Sequence, residues 1–186
     1  IRLVSTVFDM DPVRSARDLK LRPHIHLPEF DGSLYIDNRV VLSEPPERVV
    51  EKYFPSSGIC LARHSYRDSV MDEFLRTARA DRDDHDRIFE QLKHYLVSCP
   101  DVLDEKPYWG GILLRDHQND KLREMLSLWL AHVLRYSRRD QLSANYAFKR
   151  AGLSPDVMEI DNYGSWFHTW LEESERRTEN ADALSN

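Results

Sequence analysis

Tyr108–Arg115, YWGGILLR, is the stretch that decides the fold of this chain. Aromatic and branched apolar residues running up to a charge read as a strand, interrupted by the pair Gly110 and Gly111 where side chains are otherwise expected. Just beyond it, Leu122, Met125, Leu126, Trp129 and Val133 recur at helical spacing, a stripe that ends near Tyr136. A buried strand followed by an amphipathic helix is the building unit of an α/β domain. Upstream, Gly58–Arg63 (GICLAR) reads as another strand. Ser69–Val97 is helical in pattern with a break in the charged run Asp81–Asp86, and Ile88, Leu92, Tyr95 and Leu96 share a face. Earlier still, Ile1–Phe8 reads as a strand, and Pro12 opens a helix over Val13–Leu21 that Pro23 stops. Ser33–Leu42 reads as one strand entered through Asp31-Gly32, and a Pro-started helix covers Pro46–Phe54. Downstream, Asp140–Ala151 reads as a helix stopped by Gly152, and Val157–Ile160 as a short strand. This alternation predicts an α/β fold with a mostly parallel sheet and helices on both faces. One domain is expected over 1–170, followed by a polar C-terminal tail over 171–186.

With 186 residues the chain fills one core, and 41% hydrophobic with 31% charged residues is globular composition. A net charge of −6 argues against a nucleic-acid partner, since phosphate backbones call for a basic surface. No apolar run approaches the roughly 20 residues of a membrane span, and no leader pattern opens the chain. Ile1 in place of a starting Met suggests a trimmed or partial chain. Cys60 and Cys99 lie far apart without CxxC spacing, so a reduced, cytoplasmic protein is expected.

In such sheets ligands bind beyond the carboxyl ends of strands. Asp37, Asn38, His64 and Arg115 stand there. Asp37 reads either as a turn residue or as a ligand for a divalent cation on two phosphates. Arg14, Arg17 and Lys20, three apart, read as a phosphate-binding helix face or a solvated one. Asp140 reads as a helix cap or, with Gln141, as a pair aimed into a pocket. Gly110 and Gly111 read as a bulge or as a close approach to a ligand. His168, set among Trp166, Phe167 and Trp170, reads as a packing residue or a metal ligand. His64 and Arg67 follow a strand, as a helix-entry turn or as substrate contacts. His24 and His26, on an extended segment between prolines, read as structural. No GxGxxG, phosphate loop, HExxH or GxSxG is present.

Taken together, Asp11–His24, Leu27–Asn38, Arg63–Phe74, Tyr108–His117 and Tyr136–Phe148 resemble the glycosyltransferase-like domain of the plant TOD/MUCI type and its bacterial relatives. The resemblance runs from about residue 10 to 170 and is most specific at Tyr35-Ile36-Asp37-Asn38 with Ser137–Ser143. It implies a GT-A-like, Rossmann-like fold, similar to the glycogenin-like transferases, and a nucleotide-sugar donor with a glycan acceptor. It further implies Mn²⁺ or Mg²⁺ on a strand-end D-x-D. Asp37 matches the first acid, but Arg39 stands where the second would be. By the same resemblance Gly110 and Gly111 border the donor sugar, Asp140 and Gln141 orient it, and His168 contacts metal and diphosphate. Arg14, Arg17, Lys20 and Asn38 would hold the diphosphate, with His64, Arg67, Trp109 and Arg139 as acceptor or substrate contacts. A base-holding N-terminal strand that the family pattern implies is missing ahead of Ile1–Phe8. A non-catalytic glycan-binding or scaffold relative is the alternative expectation, and a metal-dependent hydrolase a third.

Overall fold

The computed structural model describes residues 4–171. Ile1–Leu3, the start of the first expected strand, and the tail from Glu172 onward lie outside the described residues. The expected strand is not found over residues 4–8. There the Phe8 amide donates to Ser15 Oγ at 2.9 Å and its carbonyl accepts from the Asp11 amide at 3.0 Å, which winds the chain directly into a helix. That helix, α1, spans Pro12–Leu21, with Asp11 capping it through the Arg14 amide. Pro23 ends α1 but starts one further helical turn, α2 (Pro23–His26), so His24 and His26 are helical and not extended. His26 Nε2 meets the buried Asp18 at 2.7 Å, a structural contact as expected.

Ser33–Leu42 is not one strand. It divides into β1 (Gly32–Ile36) and β2 (Val40–Leu42), separated by a turn in which the Val40 amide donates to the Asp37 carbonyl. Then come α3 (Pro46–Tyr53), β3 (Ile59–Arg63), α4 (Val70–Arg79) and α5 (His85–Ser98). The break expected in Asp81–Asp86 is present, with Asp84 capping α5 through the Asp86 and Arg87 amides. Ile88 and Tyr95 are buried as expected, but Leu96 is 50% exposed on the outer side of α5. A 3-10 turn (Pro100–Asp104) leads into β4 (Tyr108–Asp116), α6 (Asp120–Arg135), α7 (Gln141–Ala151), β5 (Asp156–Met158) and β6 (His168–Trp170). Gly152 closes α7 in the left-handed region at φ 61°, which a glycine adopts at little cost.

The fold is α/β, but the main sheet is mixed. Its order is β1-β4-β3-β5, with β4 antiparallel to both β1 and β3, and β3 parallel to β5. The expectation of a mostly parallel sheet fails at β4, which is inserted against the direction of its neighbours. Since β1 and β3 both oppose β4, and β5 follows β3, the carboxyl ends of β1, β3 and β5 share one edge with the start of β4. β2 and β6 form a separate antiparallel ribbon.

The two faces of the sheet are read off alternate residues. Ile59, Leu61 and Leu113 pack with Leu21 of α1 and with the expected α6 stripe, all five members of which are buried. Cys60, Ala62, Ile112 and Leu114 face the other way, onto Val49 of α3, Val40 of β2 and Phe167. Helices thus lie on both faces, one of them shared with the ribbon. Cys60 and Cys99 are free and buried. No helix among the described residues is long and apolar enough to cross a membrane.

The glycine pair is a bulge. Leu61 pairs with Leu113, but the next residue, Ala62, pairs with Trp109, so Gly110, Gly111 and Ile112 bow away from β3. A methyl group on Gly111 would enter the indole of Trp109, which folds back over the bulge. Gly111→Ala therefore has to displace a 6% exposed tryptophan. It should lower stability by about 1–3 kcal/mol, the usual range for overpacking, in a urea unfolding titration.

Candidate functional site

A cleft of about 560 Å³ opens at the edge where β1, β3 and β5 end and β4 begins. Each of these elements supplies a wall. Asp37 stands at the corner where the chain leaves β1, its amide donating to the Gly111 carbonyl at 2.7 Å. His64 and Arg67 follow β3, Trp109 with Gly110 and Gly111 opens β4, and Asn162 with Tyr163 follows β5. Arg17 and Lys20 enter from α1, and Arg139, Asp140 and Gln141 from the start of α7.

The centre of this arrangement is an ion pair. Lys20 Nζ lies 2.5 Å from Asp140 Oδ2 and donates to the Gly110 carbonyl at 2.6 Å. Both side chains are almost fully buried, at 2% and 5% exposure. Arg17 Nε approaches the other oxygen, Asp140 Oδ1, at 3.3 Å. Burial alone would push the Asp140 carboxyl up. Lys20 and Arg17 outweigh it and hold the group well below the usual carboxylate range. Burial pulls Lys20 below the ordinary lysine value against the attraction of Asp140. With two acceptors at hydrogen-bond distance on the ammonium, the geometry is that of an ionised pair.

Asp140 occupies the N-cap position of α7, yet its side chain makes no capping hydrogen bond, so capping does not explain it. Its backbone carbonyl accepts from Trp129 Nε1 at 2.8 Å, which ties the site to the α6 core. The loop ahead of it is fixed from outside. Asp83 accepts from Ser137 Oγ at 2.6 Å and from the Arg138 amide at 2.8 Å, and Gln91 accepts from the Ser137 amide at 3.3 Å. Gly110 completes the centre, because a methyl group there would lie 2.8 Å from Lys20 Nζ and 3.4 Å from Asp140 Oδ2.

Two polar atoms at the site, Gln141 Nε2 and Arg139 Nε, are buried without a hydrogen-bond partner among the described residues, while Arg17 Nε, also without a hydrogen bond, is engaged in the ion pair with Asp140. Buried donors are normally satisfied, and donors left open in a cleft point to a ligand. His64 is oriented by a backbone contact. Its Nδ1 accepts from the Tyr66 amide at 3.0 Å, so the neutral ring carries its proton on Nε2. Burial, with Arg67 beside it, lowers its pKa to about 4. Its folded value lies below the ordinary 6.5, so its share of stability is whole above 6.5 and lost as pH falls towards 4. Aromatic faces complete the cleft: Trp109 and Trp170 with centroids 5.5 Å apart, and Tyr66 with Tyr163 at 4.9 Å.

Of the residues singled out in the sequence, Arg17, Lys20, Asp37, His64, Arg67, Trp109, Gly110, Gly111, Arg139, Asp140 and Gln141 all line this cleft. Arg14, Asn38 and His168 do not. Arg14 turns away to the carbonyls of Val133 and Tyr136, at 3.0 and 2.7 Å, and joins α1 to the end of α6. Asn38 is exposed on the turn behind Asp37. His168 is fully buried, its ring nitrogens 2.7 Å from Ser165 Oγ and 3.4 Å from the Asn162 carbonyl, and it stacks on Trp109. Arg115, at a strand end, is also buried, bonded to the Lys20 carbonyl and to Ser33 Oγ. The sequence reading missed Arg82, Asn162 and Tyr163 as cleft residues. Asn162 and Tyr163 follow a strand, so the strand-end rule applied to β5 would have found them. Arg82 sits in a charged run that signals only a helix break.

The lining does not suit a divalent cation. Six cationic side chains, Arg17, Lys20, Arg39, Arg67, Arg82 and Arg139, face two carboxylates, Asp37 and Asp140. Both oxygens of Asp140 are engaged by Lys20 and Arg17, Arg39 stands where a second strand-end acid would be, and His168 lies outside. Among the described residues no three His, Cys, Asp or Glu side chains converge as metal ligands. A hard divalent cation needs several oxygen ligands and a net negative cage, and the charge here has the opposite sign.

Removing one partner of the central pair leaves a buried charge uncompensated. Lys20→Met should lower unfolding stability by about 3–5 kcal/mol, whereas Lys20→Met with Asp140→Leu should recover much of that loss, both read by urea denaturation.

The family described as TOD1/MUCI70, glycosyltransferase-like domain, matches residues 3–162. No curated protein and no solved structure matches the chain. The matched span contains α1, the β1 corner at Asp37, the β4 bulge, the start of α7 and Asn162, every element that builds the cleft except Tyr163 and Trp170. The chain belongs to the TOD1/MUCI70 glycosyltransferase-like domain family.

Proposed function

We propose that this chain is a glycosyltransferase that takes a sugar from a nucleoside diphosphate donor and passes it to a glycan acceptor in the cleft at the Lys20–Asp140 pair. The observation that carries this reading is the coexistence of an excess of cations with open hydrogen-bond donors on Gln141 and Arg139. The leaving diphosphate gains negative charge as the sugar departs, and fixed cations in a partly dry cleft stabilise that charge without reorganising. A GT-A-like arrangement is consistent with the shared edge of β1, β3 and β5, where ligands of α/β sheets bind.

Asp140 is not the base in this reading. A carboxylate held by two cations has little proton affinity, so its part is to fix Lys20, Arg17 and the adjoining Gln141. Gln141 Nε2 donates to a sugar hydroxyl, and Asp37, at the β1 corner, accepts from one. Trp109 and Trp170 offer apolar faces against which a sugar ring or a base packs. His64 contributes an Nε2 proton as a donor.

A second reading, a glycan-binding relative without turnover, is favoured by Arg39 at the place of the second strand-end acid. Incubation with nucleotide sugars separates the two. The transferase reading expects nucleoside diphosphate to be released in the presence of a glycan acceptor. The second expects glycan binding with none released. Gln141→Ala should keep the fold, as judged by its melting temperature, and lower turnover about 10–100-fold, the worth of one hydrogen bond to a charged or strained group. Unchanged turnover in that variant would remove Gln141 from the site.

A further inference from the structure

Besides the central pair, the cleft has a second group of cations, brought to one wall by three separate loops. Arg67 follows β3, Arg82 lies between α4 and α5, and Arg139 precedes α7. Only part of this charge is neutralised. Arg67 Nε is held by the buried Glu73 at 3.0 Å, and Arg67 Nη1 donates to the Tyr66 carbonyl at 2.6 Å. Arg139 Nε is buried without a hydrogen-bond partner. Partial desolvation draws Arg82 below the ordinary arginine value, and the like charges of Arg139 and Arg67 add to this against the attraction of Glu73. Such a grouping opposes folding, and yet the chain clamps it together. Asp83, next to Arg82, binds Ser137 Oγ, the Arg138 amide and, at 3.0 Å, Arg138 Nε, so the Arg82 loop and the Arg139 loop are tied together. The N-terminus of α7, an eleven-residue helix, opens on the same cleft and adds partial positive charge.

We propose that Arg67, Arg82 and Arg139, with the start of α7, form a cradle that binds a diphosphate without a divalent cation. Lys20 and Arg17, the cations expected from the sequence to hold the phosphates, are committed to Asp140. The guanidinium wall is where uncompensated charge and an open donor coincide. Guanidinium forks match phosphate oxygens in pairs, and three of them supply the charge that a metal gives in a two-acid site. The proposal rests on the donor reading for the nucleotide, but the cradle itself recognises the diphosphate group alone.

The test uses inorganic pyrophosphate and UDP as probes, each titrated calorimetrically into the chain in EDTA and again in Mn²⁺. Pyrophosphate is expected to bind in EDTA. Arg82→Gln with Arg139→Gln should weaken it at least tenfold, since two charged hydrogen-bond donors to the diphosphate are lost. Arg82→Gln alone, at an exposed position, keeps the fold and should leave the melting temperature of the free protein equal or raised while still weakening binding. A purely structural arginine would not separate these readouts. Binding that requires Mn²⁺, or binding in EDTA that is unaffected in both variants, would overturn the cradle and leave the donor reading intact. Arginine-dependent pyrophosphate binding without any UDP binding keeps the cradle and counts against a uridine donor. Binding of neither probe overturns the cradle and the donor reading together.

Discussion

The buried contact between Lys20 and Asp140 is the constraint around which the site is built. An ammonium and a carboxylate in a core are tolerated only when each is paired and hydrogen-bonded, and this requirement reaches into three elements. It fixes the end of α1 against the start of α7, and it brings the Gly110 carbonyl into the ammonium shell. It also demands glycine at 110, where a side chain would displace the ammonium. The bulge in β4 is thus the local form a strand takes to admit a lysine from a helix. Trp129 then couples the same corner to the hydrophobic core through the Asp140 carbonyl.

Topology does the remainder of the positioning. With β4 reversed between β1 and β3, the corners after β1, β3 and β5 come to one edge together with the bulge, and each delivers its polar residues to a common space. Asp83 and Glu73 are carboxylates that do not line the cleft. They act at its rim, where one joins two loops and the other holds Arg67. The acids of the site serve largely to hold cations in place. An acidic protein, −6 overall, thereby presents a strongly cationic cleft. Net charge argued against a polyanionic partner, and the local field argues for a small anionic one.

How much of this was legible follows from physics. Helix limits were readable because their signals are local: Pro12 at α1, the charged run Asp81–Asp86 as the break before α5, and Gly152 after α7. The Asp140-Gln141 pair and the double glycine stood out because capping and strand packing left them incompletely explained. Sheet direction was not readable at β4, since a central strand buried on both faces gives the same apolar run whichever way it points. The corner at Asp37 carries a turn signal in Asp37-Asn38, but apolar residues on both sides read as one strand, because β1 and β2 are both strands and only their sheets differ. Arg14 was grouped wrongly with Arg17 and Lys20. Steps of three residues rotate by about 60° on a helix, so Arg14 and Lys20 end about 120° apart. Arg82 owes its place to Asp83 reaching a loop more than fifty positions away, a contact that no local pattern announces.

The metal-free arginine cradle is tested most directly by a crystal structure of the chain with UDP bound in the presence of EDTA. It predicts diphosphate density between Arg82, Arg139 and the start of α7, with Lys20 still on Asp140 and no metal peak. Diphosphate bound to Lys20 with the Asp140 contact broken, or bound outside the cleft, would contradict it.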